Sequence, residues 1–261
     1  MTKNITVDRG HDGFGSQFYA RISGISYARY HKLNYIHTPI TGIRLDDKPY
    51  FRNDEIEDVN KMLTNIMNNL EIKSINEVDD NIQIDTHQFL YDEVDEDEDI
   101  YFNQKLLEDF HNSYSEKKPE YYHSDKLNIA IHIRRGEDIT SEHTHRYVES
   151  DVYDSLIQIL LNNYKEALIH IFSWGDPKIN IKSERIIYHS ADGGGKFLSD
   201  FNGLVHADIL VVGSSTFSIS AGMFNKNTVV CDKKICRLHH VYPTPFPSKW
   251  QSEFKNIIGI I

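Results

Sequence analysis

The feature that most constrains the fold is a regular alternation of short apolar segments with amphipathic segments between residues 127 and 231. Residues 127–133 alternate and are rich in β-branched side chains, which is typical of a strand. Residues 150–163 then place apolar side chains at helical spacing. Strands that alternate with helices pair in parallel, so this stretch predicts a layered, Rossmann-like sheet. Its other elements are expected as strands at 167–172, 185–188, 208–212 and 228–231, and as helices at 196–206 and 216–225.

The first half of the chain repeats this alternation less clearly. Strands are expected at 4–7, 34–37 and 81–84, and helices at 16–31, 54–70 and 103–112. A polar segment at 112–126 contains Pro119 and suggests an interdomain linker. We therefore expect an α/β fold of two Rossmann-like lobes with a cleft between them. The N-terminal lobe is expected at 1–118, the C-terminal lobe at 119–245 and a C-terminal helix at 246–261.

The charge of the chain limits its partners. It has 28 Lys and Arg residues against 39 Asp and Glu residues, a net charge of −11. Long-range repulsion would slow encounters with nucleic acid or an anionic membrane, so neither is an expected partner. An anionic small ligand responds to local charge instead, which makes the few clustered cations informative. The acidic run at 92–99 is expected to be a solvated surface loop.

Several features are typical of a cytoplasmic protein without a transmembrane segment. The N-terminus lacks the apolar core of a signal peptide, and no apolar run approaches the roughly 20 residues that span a bilayer. Cys231 and Cys236 are the only cysteines, and their spacing indicates reduced thiols rather than a disulfide framework. The histidines show no metal-ligand spacing, and the close pairs at 143/145 and 239/240 are expected at the surface. No metal site is predicted.

The most informative motif is the pair Arg134 and Arg135, which follows His132 and Ile133 at the end of the strand predicted at 127–133. The planar guanidinium group donates two parallel charge-assisted hydrogen bonds, a geometry that suits a diphosphate. Neighbouring residues of a strand face opposite ways, so at most one of the two should point at a ligand unless the strand has already ended. The alternative is a surface pair that balances the acidic excess through salt bridges.

Two other loops follow predicted strands in the same way. Gly13 and Gly15 lie ahead of a predicted helix, whose first N–H groups and dipole favour an anion, although an ordinary turn fits as well. The turn Ser214-Ser215-Thr216 opens another helix, where the hydroxyls either cap the helix or bind phosphate oxygens. Asp192, ahead of three glycines, could pair with a purine ring N–H from a cleft edge. Ligands of doubly wound sheets bind at such strand ends.

Taken in order along the chain, these motifs resemble those of the fucosyltransferase superfamily, which includes the α1,2-, α1,6- and protein O-fucosyltransferases. The resemblance is clearest over residues 127–231. Two departures are Glu137, where the family has Asp, and the segment after Phe172-Ser173, where the two acids of the family's Phe-Ser-Asp-Asp are reduced to Trp174, Gly175 and Asp176. The matching segments are Gly13-Phe14-Gly15-Ser16-Gln17, His132-Ile133-Arg134-Arg135-Gly136-Glu137, Phe172-Ser173-Trp174-Gly175-Asp176 and Ser214-Ser215-Thr216-Phe217-Ser218.

The resemblance implies a GT-B-type glycosyltransferase that transfers fucose from GDP-fucose to a glycan hydroxyl with inversion, without a metal or other cofactor. Arg134 becomes the main diphosphate ligand and a catalytic residue, with Arg135 as its helper, and the acceptor side falls to the N-terminal lobe. The catalytic base stays open among His11, Asp12 and Asp8. The full set expected to bind the donor is His132, Arg134, Arg135, Gly13, Gly15, Asp192, Ser214, Ser215 and Thr216.

Three alternatives stay open at this point. A relative could use a different GDP- or UDP-sugar as donor, because the motifs address the diphosphate rather than the base or the sugar. A non-catalytic module that binds a nucleotide or glycan would keep the Arg pair and lack a base. A Rossmann-type oxidoreductase is disfavoured, because Phe18 stands where the dinucleotide fingerprint needs its third glycine.

Overall fold

The computed structural model describes residues 2–8, 10, 12–45, 48–51, 55–79, 83–87, 93–94, 97–135, 146–190, 197–232 and 235–236. The fold is α/β with parallel sheets, which confirms the expected fold class. The chain divides into two compact units, Met1–Glu116 and Lys117–Ile261, each with its own parallel sheet. The helix expected at 246–261 lies outside the described residues.

The first unit contains a three-stranded sheet in the order β2-β1-β5 and an antiparallel pair, β3 with β4. All pairings in the three-stranded sheet are parallel. Its elements are β1 (Asn4–Val7), α1 (Phe14–Tyr30), β2 (Asn34–Tyr35), β3 (Arg44–Leu45), β4 (Lys48–Phe51), α2 (Ile56–Asn69), β5 (Ile84–His87), α3 (Glu98–Tyr101) and α4 (Gln104–Ser113).

Helix α1 lies unusually close to this sheet. A Cβ atom at Gly24 would come within 3.0 Å of the side chains of Val7 and Tyr35, so only glycine allows the helix to pack at this distance. The helix begins at Phe14, two residues before the predicted start, and Gly15 therefore belongs to its first turn rather than to a loop.

Strand β5 is displaced from its predicted position. It was expected at 81–84 and is found at Ile84–His87, paired with β1 along its whole length from Asn4 to Val7. Its sequence, Ile-Asp-Thr-His, has no apolar alternation, so local pattern does not mark it as a strand. Backbone pairing with β1 decides its position instead.

The second unit contains a five-stranded sheet in the order β10-β9-β6-β7-β8, parallel throughout. Every element predicted between residues 127 and 231 is present, with ends that differ by at most two residues. They are β6 (Asn128–Ile133), α5 (Ser150–Asn163), β7 (Leu168–Ser173), β8 (Ile186–Ser190), α6 (Phe197–His206), β9 (Ile209–Val211), α7 (Thr216–Phe224) and β10 (Thr228–Val230).

The central strand β6 presents two different faces. Ile129, Ile131 and Ile133 lie in one apolar core with α5, which Tyr153 and Leu156 enter from the helix side. Burial of each such side chain contributes about 1.5–3 kcal/mol to folding. The intervening residues point to the opposite face, where α6 packs on β6. Because successive side chains point to opposite faces, the residues that directly follow β6 also differ in the face on which they lie.

The segment at 112–126 is not uniformly exposed, although its polarity predicted a linker. Tyr114 and Tyr122 are both buried, and the Tyr122 hydroxyl donates a hydrogen bond of 2.7 Å to the Gly203 carbonyl in α6. In the acidic run, Val94 is fully buried while Glu93 and Asp97 are exposed. No helix in the described ranges has both the length and the apolar character needed to cross a bilayer.

Candidate functional site

The strand order of the second unit defines a switch point between β6 and β9. From β6 the chain adds β7 and β8 on one side, then crosses over to add β9 and β10 on the other. Ligands of open parallel sheets bind beyond the carboxyl ends of the strands at such a reversal. Two of the sequence motifs follow these two strands. The Arg pair, Arg134 and Arg135, follows β6, and the turn Ser214-Ser215-Thr216, called the hydroxyl turn below, follows β9. The fold therefore brings them together.

His132, the last but one residue of β6, contacts the start of α7. Its Nδ1 atom lies 3.0 Å from the Ser218 hydroxyl, and its ring centroid lies 5.6 Å from that of Phe217. Burial, with a smaller effect of the nearby Arg134 charge, lowers the pKa of His132 to about 3. The ring is therefore neutral at physiological pH and offers a hydrogen bond rather than a charge.

Arg134 follows directly after β6 and is half-buried. By the period of two it shares a face with His132, and the effect of its charge on the His132 pKa is consistent with that placement. This is the face away from the core that Ile133 enters. Arg134 is thus the member of the pair positioned at the switch point.

Arg135 has a different environment, on the α5 face. It is 7% exposed, and its guanidinium group lies over the rings of Tyr147 and Tyr153, 4.8 and 5.4 Å from their centroids. It donates hydrogen bonds to the carbonyls of Pro177, Arg134 and Val148, at 3.2, 3.1 and 3.0 Å. The helper role of Arg135 stays a prediction, and these contacts favour a structural role that joins three loop segments.

The residues of the hydroxyl turn have different roles: one caps a helix and another anchors the turn to the rest of the unit. Ser215 caps α7 by accepting a hydrogen bond from the Phe217 N–H at 3.3 Å. Ser214 is fully buried and donates to the Ile235 carbonyl at 2.9 Å. Thr216 is half-buried in the first turn of the helix, whose early N–H groups have no partner within the helix itself. These groups and the helix dipole favour an anion next to β6.

Gly213 allows this turn to approach β6. A Cβ atom there would come within 3.0 Å of the His132 carbonyl oxygen, a backbone atom that cannot move aside cheaply. The Gly213 N–H also donates to the Ser218 hydroxyl at 3.1 Å. The turn, the strand end and the helix start therefore form one tightly packed unit.

Replacing Gly213 with alanine is expected to destabilise the protein by about 1–3 kcal/mol, because the added methyl group has to push the turn away from β6. Urea unfolding of Gly213→Ala measures this change. The same displacement separates His132 from Ser218. A variant with unchanged stability would show that the turn tolerates the extra atom.

The glycine loop of the first unit holds the candidate bases. Asp12 accepts hydrogen bonds from the Gly13 N–H at 2.7 Å and from the Ser16 hydroxyl at 2.9 Å, and thereby supports the start of α1. Asp8 is exposed and accepts from the Gly10 N–H at 2.8 Å. His11 lies outside the described residues. Which of the three acts as base stays a prediction.

Several predicted features cannot be placed. Asp192 with its following glycines, Gly136 with Glu137, and the histidine pairs at 143/145 and 239/240 all lie outside the described residues. Asp176 is described and exposed, and accepts a hydrogen bond from the Lys178 N–H at 2.8 Å, as a turn residue does. Within the described ranges, no three His, Cys, Asp or Glu side chains group as metal ligands do.

Two histidines that the sequence did not single out, the fully buried His170 and the half-buried His189, form a pair on the α6 face of the sheet. His170 Nδ1 lies 2.9 Å from His189 Nε2, and the His189 ring stacks on Phe172 at 4.4 Å. Tyr121 and Tyr122 cover the pair, with ring centroids 4.4 Å from His189 and 4.6 Å from His170. Burial lowers the pKa of His170 to about 3 and that of His189 to about 4. Both rings are therefore neutral in the folded protein at physiological pH.

Protonation of this pair is expected to destabilise the protein in mild acid. The rings of an unfolded chain titrate near 6.5, above both folded-state pKa values, so the unfolded chain binds more protons. The contribution of the pair is therefore full above pH 6.5 and falls as the pH drops toward 4. Each ring adds a slope of about 1.4 kcal/mol per pH unit. Urea unfolding at several pH values measures the slope, which His189→Gln should reduce. A free energy of unfolding that is constant across this window would contradict the expectation.

No family model and no curated protein matches the chain. Among solved structures, it is similar to a mutant of Arabidopsis thaliana FUT1 in complex with GDP, at 12% identity and a TM-score of 0.44, over 90% of this chain and 72% of that one. Fucosyltransferase NodZ from Bradyrhizobium matches at 13% identity and a TM-score of 0.37, over 85% and 93%. NodZ α-1,6-fucosyltransferase soaked with GDP-fucose gives 12% and 0.39, over 88% and 94%. With TM-scores below 0.5, these likenesses assign no activity or ligand to this chain.

Proposed function

We propose that the protein is a glycosyltransferase that binds the diphosphate of a nucleotide-sugar at the switch point between β6 and β9. The donor is GDP-fucose, and the acceptor is a hydroxyl group of a glycan. The observation that carries this proposal is the position of Arg134, directly after the central strand and two residues beyond His132, which contacts the start of α7. In a chain with a net charge of −11, a cation next to a helix N-terminus makes a local anion site.

The chemistry follows from where negative charge develops. The bond between the sugar C1 and the diphosphate oxygen breaks, and its electron pair stays on the leaving diphosphate. Arg134 and the first N–H groups of α7 stabilise that charge, which is the role that a divalent metal has in other transferases. The acceptor oxygen attacks the opposite face of C1 with inversion and passes its proton to a base among His11, Asp12 and Asp8.

Thermal unfolding in the presence of GDP, UDP and ADP tests the donor, each with and without EDTA. We expect stabilisation by GDP and GDP-fucose that EDTA leaves unchanged, because a ligand that binds only the folded state raises the melting temperature. Stabilisation by UDP alone would replace the donor with a UDP-sugar. If none of the nucleotides stabilises the protein, the proposal is wrong.

One observation favours a second candidate, a non-catalytic nucleotide-binding module. The Asp12 carboxylate already accepts two hydrogen bonds that hold the start of α1, which leaves it less available to take a proton. Incubation with GDP-fucose and a mixture of glycan acceptors distinguishes the two candidates. Release of GDP that depends on the acceptor supports the transferase, and tight GDP binding without release supports the module.

A further inference from the structure

The hydroxyl group of Ser218 lies at the centre of a buried hydrogen-bond network in the proposed donor site. Ser218 is fully buried in the first turn of α7. Its Oγ atom lies 3.0 Å from His132 Nδ1 and 3.1 Å from the Gly213 nitrogen. Two carbonyl oxygens are also in range, that of Ser215 at 3.2 Å and that of Gly213 at 3.4 Å. The sequence motif contains Ser218, but its spacing alone gives it no role.

The valence of a hydroxyl group decides how these contacts are shared. Serine donates one hydrogen bond and accepts two. The Gly213 N–H can only donate, so it occupies one lone pair of Ser218 Oγ. The two carbonyls can only accept, and one of them takes the hydroxyl proton. The second lone pair is then left to accept a proton from His132 Nδ1.

The reverse assignment forms fewer hydrogen bonds at Ser218. If the hydroxyl donated to His132 Nδ1, Ser218 Oγ would make two hydrogen bonds instead of three, because the carbonyls have no proton to give to its second lone pair. The carbonyls would keep their backbone donors, the Ser215 N–H at 2.7 Å for Gly213 and the Ile219 N–H at 3.2 Å for Ser215. Buried polar groups normally form the hydrogen bonds that their surroundings allow, so the arrangement with three bonds is favoured over the one with two. The arrangement in which Nδ1 carries the proton uses all three bonding positions of Ser218.

We propose that Ser218 is a positioning residue that holds His132 in the tautomer protonated at Nδ1, so that Nε2 offers a lone pair to the ligand. In this state His132 receives a hydrogen bond from a hydroxyl or N–H group of the donor molecule, and it repels rather than binds a phosphate oxygen. Arg134 and His132, on the same face, then read different parts of one ligand. The identity of that ligand rests on the proposed function, whereas the tautomer does not.

Nitrogen NMR of protein labelled with ¹⁵N-histidine measures the tautomer directly in the ligand-free wild-type protein. We expect the His132 ring to show a protonated Nδ1 and an unprotonated Nε2, with the signal identified by its loss in His132→Gln. The opposite pattern would overturn the proposal. Because this measurement needs no change at Ser218, it decides the question even if variants at that position fail to fold.

The variant Ser218→Ala tests the positioning role. We expect its His132 ring to shift toward the Nε2-protonated form and its affinity for GDP to fall by about tenfold, the value of one good hydrogen bond. Ser220→Ala is the matched control, because Ser220 is also fully buried in α7 and its hydroxyl has no hydrogen-bond partner among the described residues. Its tautomer pattern and GDP affinity should equal those of the wild-type protein.

The outcomes separate this inference from the proposed function. If GDP binds and Ser218→Ala changes neither the tautomer nor the affinity, Ser218 has no positioning role while the donor site stands. If GDP does not bind the wild-type protein, the proposed function fails, and the wild-type spectrum still decides the tautomer of His132. A loss of affinity equal in Ser218→Ala and Ser220→Ala would reveal a packing effect and overturn the specific role.

Discussion

Arg134→Ala is expected to lower the turnover of the nucleotide-sugar by about 100- to 1,000-fold, the usual effect of removing one group that stabilises charge on a leaving group. Arg134 is the one member of the pair on the face of His132, and in the proposed reaction its positive charge stabilises the leaving diphosphate. The measurement is kcat/KM for acceptor-dependent GDP release. If the protein proves to be a binding module, the dissociation constant of GDP replaces it as the readout.

Arg29→Ala is the control for the loss of one positive charge. Arg29 lies in the last turn of α1 and pairs with Asp109 of α4 at the surface of the first unit. An exposed ion pair contributes only about 0–1 kcal/mol, so this variant should fold and turn over normally. If Arg134→Ala were as active as Arg29→Ala, Arg134 would not be the diphosphate ligand.

Arg135→Ala is expected to destabilise the protein by about 2–4 kcal/mol, because it leaves buried carbonyls without donors and opens a space between two aromatic rings. The carbonyls are those of Pro177, Arg134 and Val148, and the rings are those of Tyr147 and Tyr153. Arg135→Lys should recover little of this stability, because an ammonium group cannot reproduce the planar fork of donors. Urea unfolding gives the change in the free energy of unfolding.

The two neighbouring arginines serve as controls for each other. Arg134→Ala should lower the free energy of unfolding less than Arg135→Ala does, since Arg134 is half-buried and Arg135 is buried. Equal losses of stability in both variants would contradict the division of roles. A normal stability of Arg135→Ala would show that its carbonyl contacts are dispensable, and would return Arg135 to the set of possible phosphate ligands.

The elements of the second unit follow from local pattern alone. The alternation at 127–133 and the helical spacing at 150–163 each reflect one apolar face that must be buried, and both elements are found where that pattern places them. The first unit is less predictable for the same reason. Its strand β5, Ile84–His87, lacks an apolar face, and its position depends on β1, whose residues lie about 80 positions earlier in the chain.

The candidate site is likewise determined partly by local sequence pattern and partly by contacts between distant elements. Period-two alternation already implies that Arg134 and Arg135 face opposite ways, but the sequence does not say which face holds a ligand. That choice depends on the tertiary structure. The strand order places β9 and the start of α7 beside β6, and α5 packs on the face of β6 that Ile129, Ile131 and Ile133 form. The two neighbouring arginines therefore have different environments, because their surroundings are formed by contacts with residues 13 to 86 positions further along the chain.

The sequence by itself determined the class of fold, the approximate ends of the elements in the second unit and the motifs that follow its strands. These are local properties, because the period of apolar residues is set within a few positions of the chain. Only the tertiary structure decided that Ser215 caps α7, that Gly213 must be small and that Ser218 meets His132. Each of these depends on a close approach between separate elements, which hydrogen-bond geometry and packing fix once the sheet has formed.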